Sequence, residues 1–165
     1  MDLFKKSKPA FKDSSLTVYQ TVCEVLDDHN WNYTKDEENL GIDLSMRGDD
    51  MNLELRIYVD DKMDALVFLS FMPYRVAPKQ RTLVAFAMNM INVRLLQGNF
   101  DISMKNGNVS FRCSSFFTGS IVSKQMVDHM LNVALSTSDD YNDKLFLIAK
   151  DKMTLDELDE YIENK

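Results

Sequence analysis

The sequence predicts an α+β fold in which an antiparallel sheet carries helices packed on one face. Two kinds of pattern predict it. In some stretches apolar residues recur every three or four positions, as in amphipathic helices, and in others they alternate with polar residues, as in strands with one exposed face. The strand-like stretches follow one another across short turns, which favours antiparallel pairing. The predicted order of elements is α-β-β-β-α-β-β-α.

Composition limits the classes of function that the chain can serve. It has 165 residues, 45% of them hydrophobic, which is enough for one domain with a core. The net charge of −7 argues against a nucleic-acid partner, because phosphate contacts need clustered Lys and Arg. No apolar run reaches membrane-spanning length and no secretory signal is recognisable, so we expect no membrane partner. Cys23 and Cys113 lie in apolar patterns typical of reduced core residues. The expected location is therefore cytoplasmic.

The first predicted helix covers residues 16–30. Ser14 and Ser15 offer side-chain oxygens for an N-cap, and apolar residues such as Val18 and Val22 then recur at helical spacing.

Three strands are predicted next, at residues 42–47, 53–59 and 65–72. The first two alternate apolar and polar residues, and Asp60 and Asp61 form a tight turn before the third. The third stretch is apolar on both sides, so this strand is expected to be central or covered on both faces.

A long central helix is predicted from Lys79 to Leu96, between Pro78 and the helix-ending Gly98. It has more apolar surface than one contact with a sheet requires. The face expected to hold the sheet consists of Leu83, Phe86, Ala87, Met90 and Val93. The second apolar face consists of Val84, Met88, Ile91 and Leu95.

Two explanations of the second face compete. It could pack on another helix of the same chain, or it could meet a second copy across a two-fold axis or bind a protein client. Burying one large apolar side chain contributes roughly 1.5–3 kcal/mol, so an uncovered face would be costly. We therefore predict Val84, Met88, Ile91 and Leu95 as a dimer or client interface.

The second half of the chain begins with a hairpin and ends in helices. Asn106-Gly107 is a strong signal for a tight turn between two strands. Ser123 can cap the helix that follows, and the polar run 136–140 is expected to kink that helix or split it in two.

The chain is divided by charge and pattern into three parts. Residues 1–13 form a basic N-terminal segment, and residues 14–150 form the folded domain. Residues 151–165 form an acidic helical extension, in which Thr154 and Glu157 have the spacing of a capping box.

Several short motifs resemble a known family. They are Asn89-Met90-Ile91-Asn92, the segment Leu95-Leu96-Gln97-Gly98-Asn99-Phe100-Asp101-Ile102 and the segment Gly107-Asn108-Val109-Ser110-Phe111-Arg112. Together with the positions of Trp31 and Pro73, they resemble the central block of the YbjN-like bacterial family of sensory transduction regulators. The resemblance covers about residues 16–150 and implies the fold of type III secretion chaperones. It also implies a binding or regulatory role, with relatives that dimerise and bind extended client segments.

The motifs of catalysis are missing from the sequence. His29 and His129 lie in helical patterns, and with Cys23 and Cys113 they show no metal-ligand spacing. No glycine-rich phosphate loop or nucleophile elbow is present, so we expect neither an enzyme nor a bound cofactor.

The predicted function is a non-catalytic, chaperone-like or regulatory domain that binds protein and acts as a homodimer. The alternative is a small-molecule sensor or regulator, with a pocket between sheet and helices lined by Phe68, Phe86 and Phe111.

Overall fold

The computed structural model describes residues 11–165. In chain order, the elements are α1 (Asp13–Asp28), β1 (Thr34–Asp36), β2 (Gly41–Arg47), β3 (Asn52–Asp60), β4 (Ala65–Arg75), a 3-10 turn (Pro78–Gln80), α2 (Arg81–Asn92), β5 (Asn99–Ile102), β6 (Asn108–Phe116), α3 (Lys124–Ala149) and α4 (Leu155–Glu163). The basic segment predicted for residues 1–13 lies outside the described residues except for its last three positions.

The six strands form one antiparallel sheet in the order β1-β2-β3-β4-β6-β5. The predicted α+β class is thus confirmed. β4 lies inside the sheet, as its apolar residues on both sides predicted. It pairs with β6 and not with β5, the next strand in sequence. The chain between β4 and β6 contains α2 and β5. The edge strand β1 was not predicted, since its three residues are polar and too few to show a period.

The core lies between one face of the sheet and the helices. Leu55 and Ile57 of β3, Phe68 of β4 and Phe111 of β6 are buried there. α3 packs across β4 and β6, α1 packs on β3 and α3, and α2 packs on β5 and α3. One face of the sheet is therefore covered and the other is open to solvent.

Helix α1 begins at Asp13, three residues before the predicted start. The backbone N–H of Lys12 donates to Asp61 Oδ1 at 2.9 Å, and Lys12 Nζ lies 2.7 Å from Asp64 Oδ1. These contacts anchor the start of the helix to the β3–β4 turn. Ser15 is buried inside the helix, so its predicted capping role is wrong.

Helix α3 runs unbroken from Lys124 to Ala149, and the predicted kink at residues 136–140 is wrong. The Ser136 hydroxyl donates back to the Asn132 carbonyl at 2.6 Å, which keeps it inside the helix. The Asp139 carboxylate accepts the backbone N–H of Asp49 at 3.0 Å from the β2–β3 turn. Polar residues that break an isolated helix are thus stabilised here by their contacts.

The acidic extension at residues 151–165 packs on the domain. Thr154 and Glu157 form the predicted capping box at the start of α4. Leu158 and Ile162 are buried in the same core as the sheet, and Tyr161 donates to the Asp140 carbonyl of α3 at 3.2 Å. α4 also contacts α2. The extension is therefore fixed by both neighbouring helices.

Within residues 11–165, no helix combines the length and the apolar character needed to cross a membrane.

Candidate protein-binding surface

The two apolar faces of α2 are exchanged relative to the prediction. Val84, Met88 and Ile91 are at most 2% exposed and belong to the core. Leu95, in the turn after the helix, is partly buried against the same core. The prediction that these four residues meet a partner is wrong for the folded chain, because the chain itself covers them.

Asn92 explains why the helix has this rotation. Its side-chain amide donates to the Phe100 carbonyl at 3.1 Å and accepts the Phe100 N–H at 2.8 Å. β5 is an edge strand, so this amide takes the place of a neighbouring strand at Phe100. With Asn92 held against β5, residues 84, 88 and 91 must face inward, since they lie on the same side of a 3.6-residue helix. The buried Ala87 has only a methyl side chain, which allows the helix to approach closely.

Helix α2 ends at Asn92, earlier than the predicted Leu96. Residues 93–98 form a turn that brings the chain back to β5. Gly98 has φ +81°, and a Cβ atom there would collide with the ring of Phe111. Glycine is therefore required at position 98, where the chain turns back toward β5. It does not mark the end of α2, which lies six residues earlier.

The outward side of α2 carries an apolar row that the chain leaves uncovered. We call Leu83, Phe86, Met90 and Val93 the outer stripe. Phe86 is 62% exposed and Val93 is 70% exposed, while Leu83 and Met90 are half-buried. Leu96, in the turn that follows, is fully exposed. The stripe spans three helical turns and is the face that was predicted to hold the sheet.

The predicted ligand pocket is not formed by its three aromatic residues. Phe68 and Phe111 are buried completely on the covered face of the sheet, whereas Phe86 points outward from α2. They do not share a surface, so the prediction that they line one pocket is wrong. Phe111 packs instead on Phe100, with ring centroids 5.0 Å apart.

A cleft of about 450 Å³ lies beside the outer stripe, where α2 meets the turn between α3 and α4. Its lining consists of Leu83, Asp151, Lys152, Met153, Thr154, Leu155 and Glu157. The side-chain amide of Gln80 donates to Asp151 and ties this turn to the start of α2. Apolar and charged side chains thus meet at one end of the stripe.

The open face of the sheet carries a second apolar row, along β4. It consists of Ala65, Val67, Leu69 and Phe71, of which Ala65 and Val67 are covered by neighbouring side chains, Leu69 is half-buried and Phe71 is exposed. Leu69 lies between Arg56 of β3 and Arg112 of β6. Arg56 pairs with Asp43 at 2.9 Å and with Asp36 at 3.0 Å.

Two aromatic side chains of this face are exposed near opposite ends of the sheet. Phe71 of β4 is 37% exposed and Phe116 of β6 is 65% exposed. The open face is therefore apolar along its centre, with paired charges on each side. The double-sided apolar pattern of β4 was the only sequence signal for it.

Both cysteines are buried, and both histidine rings have hydrogen-bond partners. Burial raises the pKa of the Cys113 thiol to about 11 and also raises the pKa of Cys23, so both thiols stay protonated at neutral pH. His29 Nε2 lies 2.7 Å from Asp128 Oδ1, and His129 Nε2 lies 2.8 Å from Gln97 Oε1. Across residues 11–165, no three His, Cys, Asp or Glu side chains are grouped as metal ligands would be.

Solved structures of low sequence identity share the fold. The ExsC–ExsE complex matches with a TM-score of 0.56 and 12% identity, over 81% of this chain and 97% of that one. The HopA1–SchA chaperone–effector complex matches with a TM-score of 0.56 and 15% identity, over 82% and 99%. YbjN from E. coli, a "putative transcription regulator", matches with a TM-score of 0.50 and 13% identity, over 74% and 92%.

Sequence comparison gives the family directly. No curated protein matches the chain in sequence. Residues 19–147 match the YbjN family, described as "Putative bacterial sensory transduction regulator". This match begins within α1, ends near the end of α3 and leaves α4 outside it. Because it includes more than half of the residues, the chain belongs to the YbjN family.

Proposed function

We propose that this chain is a non-catalytic, chaperone-like domain that binds protein and acts as a homodimer through the outer stripe. The observation that carries this proposal is the exposure of Phe86 and Val93 on a helix whose other side is already buried. A stripe of large apolar side chains on a helix is typical of a surface that another helix covers.

The spacing of the outer stripe suits a two-fold axis. If α2 packs antiparallel on its own copy, Leu83 meets Val93 and Phe86 meets Met90, and both pairs are centred on position 88. One axis at that position therefore satisfies the whole stripe, as an isologous interface requires.

Burial of the exposed apolar side chains offsets part of the cost of association. Burial of a large apolar side chain contributes roughly 1.5–3 kcal/mol. Phe86 and Val93 from two copies then offset an association cost of about 4–15 kcal/mol near its lower end. Leu83 and Met90 add the remainder of their surface.

The dimer can be tested by sedimentation equilibrium at micromolar concentration. We expect the wild-type chain to be dimeric and the Phe86→Asp variant to be monomeric with an unchanged far-UV circular dichroism spectrum. Ile121→Asp is the matched control, since Ile121 is 91% exposed and lies outside α2. A monomeric wild type, or a dimeric Phe86→Asp variant, would overturn this part of the proposal.

The open face of the sheet is the surface proposed for a client. The accessible part of its apolar row, Leu69 and Phe71 of β4, can contact an extended segment together with the exposed Phe116 of β6. Asn92 blocks the β5 edge at Phe100, so addition of a strand at that position is disfavoured. The chaperone–effector complex among the fold relatives supports a protein client.

Client binding can be tested with a permanently unfolded protein, reduced and carboxymethylated α-lactalbumin. We expect NMR shifts on β4 and β6 and co-elution of this probe with the chain in size-exclusion chromatography. The Phe71→Ser/Phe116→Ser variant should lose both effects, whereas Leu16→Ser, a change at an exposed apolar residue of α1, should keep them. Equal binding by both variants would contradict the assignment of this face.

The proposed setting is the cytoplasm. Cys23 and Cys113 are both unpaired and buried, which suits a reducing compartment. Fractionation of the native host followed by immunoblotting tests this part, and recovery outside the cytoplasm would contradict it.

A further inference from the structure

The residue left most exposed at the end of α2 is Leu96. It is a fully exposed leucine in the turn after the helix, three residues beyond Val93 of the outer stripe. The turn is held by hydrogen bonds of 3.0 Å from Arg94 N–H to the Ile91 carbonyl and 3.2 Å from Leu95 N–H to the Asn92 carbonyl. Leu96 is thus presented by a fixed turn.

The two-fold axis centred on position 88 determines what Leu96 faces. The turn that carries Leu96 follows the end of α2, so in an antiparallel pair it lies near the start of the partner's α2, where Gln80 precedes the helix. Gln80 is buried, and its side chain is bonded to Asp151 in the lining of the cleft between α2 and the α3–α4 turn. The exposed leucine of one copy therefore meets the cleft of the other.

We infer that this cleft receives Leu96 of a second copy, so that the C-terminal extension is part of the dimer interface. The inference rests on the proposed dimer. The cleft has an apolar wall made by Leu83, Met153 and Leu155, and its volume of about 450 Å³ accommodates a leucine side chain. The dimer contact thereby extends from α2 onto the turn that leads into α4.

The turn that carries Leu96 and the cleft beside α4 have complementary charge. Arg94 is exposed beside Leu96. The extension at residues 151–165 contains six acidic residues against two lysines, and Asp156 is exposed in the first turn of α4. Antiparallel packing brings the Arg94 guanidinium of one copy toward this acidic turn of the other. This charge pairing favours a second copy of the chain as the occupant of the cleft.

The extension lies beyond the part of the chain that matches the family, which ends at residue 147. Residues 151–157 therefore lie outside the stretch on which family membership rests.

Disulfide trapping tests the contact in the full chain. In the double variant L96C/M153C, oxidation should produce a covalent dimer containing Cys–Cys links between positions 96 and 153, identified by peptide mass spectrometry. Position 96 follows the C-terminal end of α2 and the cleft lies at its N-terminal end, and the twelve residues of the helix span roughly 18 Å at 1.5 Å per residue. That distance is too long for a link within one chain.

Controls separate failure of this inference from failure of the proposed dimer. The single variants L96C and M153C, and the double variant L96C/I121C, should give no comparable covalent dimer. If sedimentation shows a dimer but L96C/M153C does not cross-link between these positions, the inference is overturned and the dimer stands. If sedimentation shows a monomer, the proposed dimer fails as well.

A second measurement uses the dissociation constant. Leu96→Ala should weaken the dimer about tenfold, the change that corresponds to about 1.4 kcal/mol. Arg94→Glu should also weaken it, and Arg94→Glu combined with Asp156→Lys should restore the wild-type value. Failure of the double variant to restore affinity would contradict the proposed charge pairing.

Discussion

The two apolar sides of α2 have similar composition and opposite environments. The inward side, with Val84, Met88 and Ile91, is covered by the chain. The outward side, with Phe86 and Val93, is open although it carries the larger aromatic residue. At 100° per residue, the centre of the outer stripe is about 150° from the centre of the inward side, so one helix can make two separate contacts.

The difference between the sides shows what decides which apolar surface enters a core. Hydrophobicity indicates that a surface should be covered, but it does not identify the cover. In α2 the choice is made by Ala87, which permits close packing, and by Asn92, whose amide must reach Phe100. Steric fit and a single polar anchor therefore set the rotation of the helix.

The largest expected effect comes from truncating the inward side. Ile91→Ala should lower the free energy of unfolding by about 2–5 kcal/mol, because it leaves a cavity in the core. Val93→Ala, the matched control on the outward side, should change it by no more than about 0.5 kcal/mol in a monomeric background. Urea unfolding of both variants in the Phe86→Asp background measures this, and equal losses would refute the assignment of the two sides.

A smaller effect is expected at the anchor between the sides. Asn92→Ala leaves the N–H and carbonyl of Phe100 without their partner, at a cost of about 1–3 kcal/mol. Amide hydrogen exchange at Phe100 should accelerate accordingly. Asn92→Asp, which keeps the acceptor and loses the donor, should give an intermediate rate. Unchanged exchange in both variants would show that the anchor does not hold β5.

Helix α4 lies next to the outward side of α2. Removing its N-cap tests whether α4 opens independently of the core. Thr154→Ala should cost about 1 kcal/mol, since it removes the hydroxyl that accepts the Glu157 N–H. Hydrogen exchange should rise in α4 while the amides of α3 keep their protection. Ser123→Ala, which removes the cap of α3, should not produce this localised pattern. A uniform rise across both helices would exclude independent opening of α4.

The smallest effect is a pH dependence of the same cap. Hydrogen bonds from Thr154 lower the pKa of Glu157 below its usual value of 4.5. The folded state therefore favours the carboxylate, and the resulting stability is present above that pH and is lost as pH falls through the folded pKa. Carboxyl-carbon NMR titration of Glu157 should show the lowered pKa, and Thr154→Ala should return it toward 4.5. A titration at the usual value in the wild type would contradict the capping geometry.

Periodicity was sufficient for most of the fold. The alternation in β2, β3 and β6 and the helical repeats of α1 and α3 specify both class and order, and the capping box of α4 was visible as Thr154 and Glu157. The length of α2 was overestimated, because its apolar repeat continues through residues that form a turn. The three-residue β1 has no period to detect.

The candidate surfaces were less predictable for a physical reason. Both sides of α2 satisfy the pattern of a buried helix face, and the contact that distinguishes them joins Asn92 to a backbone group of β5. Such a contact depends on where two distant segments meet, which residue spacing does not encode. The small Ala87, the one residue of the predicted sheet-facing side that is fully buried, was the available hint.

The pairing of β4 with β6 has a consequence for synthesis of the chain. Ala65 pairs with Phe116, so the two ends of this contact are about fifty residues apart in sequence. At roughly 5–20 residues per second, the partner of Ala65 emerges about 3–10 seconds after Ala65 itself. During that interval the strand with apolar residues on both sides has one edge without a neighbour. The nascent chain is most open to aggregation, and to capture by ribosome-associated chaperones, between completion of β4 and arrival of β6.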